Sequence, residues 1–233
     1  MDDFKQNKHF EFGTNNPTLM QKPFSKYMCC NPHLIGYHIR KENKYYRHHN
    51  GANDHPVWCF TRFGATQTYL PDGRLIRIGG EHEDCYDEDF QIYNDVIVIQ
   101  NPRTTNPNDV TIYGYPEDVF PPVDFHTATY VKNDKNGNEF IYIIGGLGYM
   151  NSSRRRQTHV YRLHLSDFSI EEVKTTGNGP VRCMQSHRAT LETVEGRKVI
   201  EISSKNGSHY RLDIETAKWK TISDKNLELQ DLC

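Results

Sequence analysis

An internal repeat constrains the fold of this 233-residue chain more than any other feature of its sequence. Two segments of twelve residues align without a gap, and they begin at Pro56 and Pro180. Their offset is 180 − 56 = 124 residues, which is twice 62. A third copy is therefore expected near residue 118, and residues 122–129 again run from Pro-Val to Ala-Thr. A repeat of this kind indicates one supersecondary unit that recurs and stacks along the chain.

Each copy is followed by alternating apolar residues that predict β-strands. Residues 75–80 read LIRIGG and residues 140–146 read FIYIIGG, so both runs end in a glycine pair. The third run, VIEISS at 199–204, ends in two serines. Alternation with β-branched residues is typical of a half-buried strand. A glycine pair at a strand end suits a close backbone approach or a positive φ.

Two further strands complete each unit. Residues 161–173 align without a gap with residues 210–222, and each segment reads as a strand, a tight turn and a second strand. The first copy has its version in residues 94–101 and 110–114. The repeat therefore predicts four consecutive strands per unit and an all-β fold. The best candidate for a helix is the tail, residues 224–233, which could equally be a strand that completes the first unit.

Composition excludes several classes of protein. The formal net charge is −2, which argues against a general nucleic-acid binder. No run of about 18 apolar residues is present, so we expect no membrane span. The first residues lack a secretory pattern, and we expect a cytoplasmic protein whose six cysteines are thiols.

The order of the residue types that recur within the unit resembles the kelch repeat. The first copy matches from Arg62-Phe-Gly-Ala through the glycine pair to Asn94-Asp-Val, and the second from His126-Thr-Ala to Val160-Tyr161. The third keeps His187, Ala189, Tyr210 and Trp219. The resemblance covers about residues 56–222. It implies a small kelch-type β-propeller, in which four-stranded blades surround a central channel.

The resemblance divides the chain into five segments. These are an N-terminal extension with a degenerate blade (1–55), three blades (56–114, 115–176 and 177–223) and a C-terminal tail (224–233). In the degenerate blade, residues 24–31 would be the strand that ends in two small residues, and residues 33–40 and 44–47 would follow as strands.

The number of blades is the main open question. A propeller needs about four blades, because each blade buries its apolar faces against neighbours. The N-terminal copy could supply a fourth blade, a homodimer could complete the ring, or the chain could form an open array. The sequence leaves these three alternatives open.

The loops between the second and third strands are the longest, and we expect a partner to bind there. The resemblance implies a non-catalytic protein-interaction module with a protein partner. We expect no nucleic-acid or membrane partner, from the charge and hydropathy, and no cofactor. The partner-binding candidates come from an acidic loop, residues 81–93, and a basic loop, residues 147–158: Glu81, His82, Glu83, Asp84 and Asp87, and Arg154, Arg155 and Arg156.

Each loop also has simpler or different interpretations. The acidic loop could be solvated, could dock a basic partner, or could bind a cation through Glu81, His82 and Asp84. The arginines could be solvated, or could bind a phosphate or an acidic peptide, because guanidinium groups match the geometry of both anions.

The alternative function is a kelch-type enzyme that acts on a small molecule or sugar at the central channel, either mutarotase-like or metal-dependent. Arg62, Arg77, His82 and Glu83 are its candidate residues. Since Cys59 and Cys183 occupy equivalent repeat positions, we expect both to serve packing, and we assign structural roles to His126 and His187 as well.

Overall fold

The structure is a computed structural model, and it describes residues 10–31, 60–82, 90–152 and 156–224. The chain forms two compact units, Met1–Asp118 and Val119–Cys233. The described residues are mainly β-strands arranged in antiparallel sheets, with one eight-residue helix and one short 3₁₀-helix. The all-β class expected from the alternating patterns is therefore confirmed.

The first unit contains a five-stranded sheet with the order β1-β7-β6-β3-β2, in which all neighbours are antiparallel. A two-stranded hairpin of β4 and β5 extends from it. The strands are β1 (Thr18–Leu19), β2 (Thr66–Tyr69), β3 (Leu75–Ile78), β4 (Glu81–His82), β5 (Gln91–Ile92), β6 (Val96–Ile99) and β7 (Val110–Gly114). The 3₁₀-helix, Pro107–Asp109, leads into β7.

The second unit contains two sheets, which we call the second and the third sheet in chain order. The four-stranded sheet has the order β11-β10-β9-β8, with β8 (Thr127–Lys132), β9 (Glu139–Ile144), β10 (Val160–His164) and β11 (Ile170–Glu172). The five-stranded sheet has the order β12-β16-β15-β14-β13, with β12 (Thr176–Gly177), β13 (Arg188–Val194), β14 (Arg197–Ser203), β15 (His209–Asp213) and β16 (Lys218–Ser223). Only β12 pairs in parallel, with β16.

Each of the three sequence repeats contributes four antiparallel strands to one sheet, and they are consecutive in the second and third repeats. In the first repeat, strands β4 and β5 come between the second and third strands. In each sheet, the second strand of the unit, β3, β9 or β14, lies between the first and the third. The two glycine pairs follow β3 and β9, and all four glycines have positive φ, between 55° and 90°. This conformation explains why glycine ends these strands, because other residues adopt it with strain. A closed ring of blades stays a prediction.

The two sheets of the second unit pack face to face. Tyr142, Ile144 and Val160 of one sheet share a core with Ile200, Leu212 and Trp219 of the other. The first strands of the two sheets, β8 and β13, also contact each other. This is the arrangement by which neighbouring blades of a propeller bury their apolar faces.

The N-terminal segment differs from the prediction. Residues 24–31 were expected to form a strand, but helix α1 spans Pro23–Cys30. Proline is well tolerated in the first turn of a helix, since no intrahelical bond from its nitrogen is needed. Ser25, Met28 and Cys29 are spaced i, i+3 and i+4, so one helix face is buried. The strands expected at 33–40 and 44–47, and the tail after Asp224, lie outside the described residues.

Candidate functional site

The acidic loop begins and ends on the hairpin of β4 and β5. Glu81 lies opposite Ile92, and His82 lies opposite Gln91. Glu81 is half-buried and His82 is buried, so the two residues form the base of the loop. Glu83, Asp84 and Asp87 lie outside the described residues.

Backbone contacts hold this hairpin at the glycine end of the first sheet. The Glu81 N–H donates to the Phe63 carbonyl at 2.8 Å, and the Phe63 N–H donates to the Glu81 carbonyl at 2.9 Å. The Tyr93 N–H donates to the Gly80 carbonyl at 2.9 Å. A Cβ on Gly80 would lie 2.6 Å from the Cβ of Ala65, so only glycine allows this close approach.

A buried ion pair lies beside the glycine pair. The Arg62 guanidinium donates to both carboxylate oxygens of Asp95, at 2.5 and 3.0 Å, and to the Gly79 carbonyl at 3.2 Å. Its central carbon lies 3.4 Å from the centre of the Tyr93 ring. Bidentate pairing with an aromatic stack is typical of buried arginine. The pair therefore fixes the chain that precedes β2 against the start of β6.

The described residues of the enzyme alternative are buried in the first unit. Arg62 is committed to Asp95, and the Arg77 guanidinium lies 3.9 Å from the centre of the Phe60 ring. Both arginines are buried, as is His82. Glu83 lies outside the described residues.

The cation hypothesis rests partly on residues that the structure does not describe. Glu81 and His82 are described, but Asp84 is not. Among the described residues, no group of three or more His, Cys, Asp or Glu side chains is arranged to hold a metal ion. The nearby thiol of Cys29 is buried, and this burial raises its pKa, so the protonated form is favoured. Cys29 therefore acts as a packing residue of the first unit.

The basic loop is anchored on a buried carboxylate. The Gly148 N–H donates to Oδ1 of Asp124 at 2.7 Å, and the Leu147 N–H donates to the Asp124 carbonyl at 2.9 Å. Asp124 is buried. The first residues of the loop are thus held to the chain that leads into β8.

The other end of the basic loop is joined to residues 180–187, which precede β13. The Thr158 hydroxyl donates to the Arg182 carbonyl at 2.7 Å and accepts from the Met184 N–H at 2.9 Å. The Gly146 N–H donates to the Met184 carbonyl at 2.8 Å, and the Cys183 thiol donates to the Gly146 carbonyl at 3.1 Å. Both segments therefore meet at the glycine pair that follows β9.

These two segments, residues 147–158 and 180–187, form what we call the arginine end of the second unit. They contain four arginines (Arg154, Arg155, Arg156 and Arg182) and no aspartate or glutamate. Arg156 and Arg182 are exposed, whereas Arg154 and Arg155 lie outside the described residues. Met150 and Val181 are 75% and 70% exposed, so apolar surface accompanies the positive charge.

A smaller network borders the arginine end. His159 Nδ1 lies 2.8 Å from Oε1 of Glu172, and Lys174 also pairs with Glu172. Although burial opposes the change, hydrogen bonds from Lys174 and His159 lower the pKa of Glu172. Glu172 is therefore ionised, and it is paired with Lys174 and His159.

Sequence reasoning missed residues 180–187 as part of this site. The sequence contained a signal, because residues 180–187 are the repeat copy of residues 56–63, which precede β2 in the chain. His187 shows the role of the segment: its Nε2 lies 3.0 Å from the Thr127 hydroxyl, and a Cβ on Gly145 would lie 3.0 Å from its Cε1. Burial lowers the pKa of His187 to about 4. His126 is also buried, and Cys59 lies outside the described residues.

Comparison with known proteins adds no relative to this picture. No protein-family model matches the sequence, and a search of curated proteins finds no significant match. The kelch resemblance therefore stays a prediction from the repeat. Within the described residues, no helix has the length and apolar character needed to cross a membrane.

Proposed function

We propose that this chain is a non-catalytic interaction module, built from kelch-like propeller blades, that binds an acidic segment of a protein partner in the cytoplasm. The observation that carries the proposal is the arginine end, where four arginines and no carboxylate residue occupy two loops. Exposed Met150 and Val181 would contact apolar side chains of the same partner. The propeller part of the proposal is supported by the face-to-face packing of the two sheets in the second unit.

The anchoring of the loops favours specific binding over general attraction. Asp124 and Thr158 hold the two ends of the basic loop at fixed points on the sheet. A site whose ends are already ordered loses less conformational entropy on binding. Arginine side chains on such a scaffold can pair with carboxylates in bidentate geometry. A flexible tail with the same arginines would bind more weakly for each contact.

The test is a charge reversal with a matched control. The variant Arg154→Glu, Arg155→Glu, Arg156→Glu changes the net charge by −6, and so does the control Lys205→Glu, Lys218→Glu, Lys220→Glu on exposed residues of the third sheet. Binding of a fluorescently labelled peptide rich in Glu and Leu is followed by anisotropy. We expect the arginine variant to bind at least about tenfold more weakly, a loss of about 1.4 kcal/mol, and the control to retain most of the affinity.

Natural partners are identified in parallel from an extract of the producing cells. Proteins retained by the wild type and by the lysine control, but lost from the arginine variant and at high salt, are the expected partners. If all three proteins retain the same set, or if the peptide binds the arginine variant as well as the wild type, the arginine end is not the binding surface.

A further inference from the structure

The N-terminal segment of the first unit covers one face of the first sheet. Leu75 lies opposite Ile99, and Ile97 lies opposite Ile112, so these four side chains share a face. They belong to one buried cluster with Met20, Met28 and Cys29 of the N-terminal segment. Helix α1 therefore occupies a sheet face of the kind that packs against another sheet in the second unit.

The segment is tied to the sheet along its whole described length. The Gly13 N–H donates to the Tyr115 carbonyl at 3.0 Å, and the Met20 N–H donates to the Ile112 carbonyl at 2.9 Å. Strand β1 pairs with β7 between these two points. A Cβ on Gly13 would lie 2.3 Å from the Gly114 carbonyl oxygen, so the backbones are in close contact. Residues 13–20 thus fix the place at which the helix meets the sheet.

The helix itself depends on this sheet for its stability. It has eight residues, and no side chain caps its N-terminus. Isolated helices of this length are unstable in water, and the missing cap lowers their stability further. The buried contacts of Met28 and Cys29 therefore stabilise the helix, and the helix in turn keeps the sheet face from water.

The third sheet provides an independent observation at the other end of the repeat series. One of its faces packs in the core of the second unit. On the other face Glu201 accepts hydrogen bonds from Arg211 at 2.8 Å and lies 3.0 Å from His209, and Arg197 pairs with Asp213. Val194 and Val199 are apolar residues on this face, and Val199 is buried. Such a polar outer face is typical of a terminal, capping repeat.

We propose that residues 10–31 are an end cap that closes the first sheet against association with a second copy of this chain. Helix α1 of this cap spans Pro23–Cys30, where the repeat predicted a strand of a fourth blade at residues 24–31. With one terminal face closed by the helix and the other mainly polar, the chain stays monomeric and does not complete a ring by dimerisation. This inference is independent of the proposed binding of an acidic partner.

Substitutions in helix α1 test the cap in the full-length chain. Met28→Asp places a charge in the buried cluster, whereas the control Tyr27→Asp places the same charge on the exposed face of the same helix. Light scattering after size-exclusion chromatography gives the mass over a range of concentrations. Hydrogen exchange gives the protection of β6 and β7. We expect a monomeric wild type and control, and a Met28→Asp variant with faster exchange and concentration-dependent self-association.

Two results would overturn the inference. A Met28→Asp variant that stays monomeric with unchanged exchange in β6 and β7 would show that the helix does not close this face. A wild type that is already a dimer, and that dissociates when Ile97→Asp is introduced, would show that the face is an interface. If Met28→Asp does not fold, Met28→Ala is judged by the same two measurements, because it weakens the contact without burying a charge.

Discussion

The Arg62–Asp95 pair allows the stability of the first unit to be predicted with a magnitude. Only 2% of the Arg62 side chain and 4% of the Asp95 side chain are exposed. Removing one member leaves the other charge buried without its partner, which typically costs about 3–5 kcal/mol. We therefore expect Arg62→Ala and Asp95→Ala each to lower the free energy of unfolding by about 4 kcal/mol, a change of roughly a thousandfold in the folding equilibrium.

The same sheet offers a matched control in an exposed ion pair. Arg74 pairs with Asp72 at 2.8 Å, but their side chains are 22% and 50% exposed. Exposed pairs contribute about 0.2–1 kcal/mol, so Arg74→Ala should have little effect. A double variant, Arg62→Met with Asp95→Leu, removes both buried charges and should cost less than either single alanine variant.

The assay has to report on the first unit separately from the second. Hydrogen exchange of the amides of β3 and β6, measured with urea unfolding followed by circular dichroism, gives the local and global free energies. If Arg62→Ala and Asp95→Ala cost no more than Arg74→Ala, the pair does not stabilise the unit and the argument from burial is wrong. The argument is also contradicted if the double variant loses as much stability as the two single alanine variants together.

Two further predictions concern the second unit. His187 keeps a neutral ring with a pKa of about 4, whereas an exposed histidine titrates near 6.5, so the unfolded chain binds its proton first as the pH falls. Stability should therefore be full above about pH 6.5 and decrease by roughly 3 kcal/mol towards pH 4. His187→Gln should flatten this dependence in urea titrations followed by Trp219 fluorescence in a Trp58→Phe background. A Cβ on Gly179 would lie 2.7 Å from the Trp219 ring, so Gly179→Ala should lower the free energy of unfolding by about 1–3 kcal/mol in urea titrations, and a variant as stable as the wild type would refute the packing argument.

The strands could be predicted because successive side chains of a strand point to opposite faces of the sheet, which gives the sequence a period of two. Residues 139–144 and 160–164 alternate side chains between two faces, and the structure pairs them as β9 and β10. The glycine pairs were also informative, since Gly79, Gly80, Gly145 and Gly146 all have positive φ. Both signals are local, and they specify the local conformation of the backbone.

The helix and the buried ion pair could not be predicted in the same way. The segment PFSKYMCC is too short to show more than one i, i+3, i+4 set, and its similarity to a strand of the repeat was misleading. Arg62 and Asp95 are 33 residues apart in the chain, so no spacing rule brings them together. Arg77 gave a partial signal, because a charged residue within an apolar strand requires a buried partner, which the Phe60 ring supplies.

The alternation itself carries information on how many faces each sheet buries. In the first sheet, β3 and β6 read LIRI and VIVI, and all eight positions are buried, which is the pattern of strands covered on both faces. In the third sheet, HYRLD alternates strictly between polar and apolar residues, and KWKTIS begins the same alternation but breaks it at Lys220 and Thr221, so one face is mainly polar. The first sheet therefore requires covers on two faces, and helix α1 supplies one of them. On the other face of the third sheet, Val199 is buried among mainly polar residues, so this face needs much less apolar cover than the faces of the first sheet.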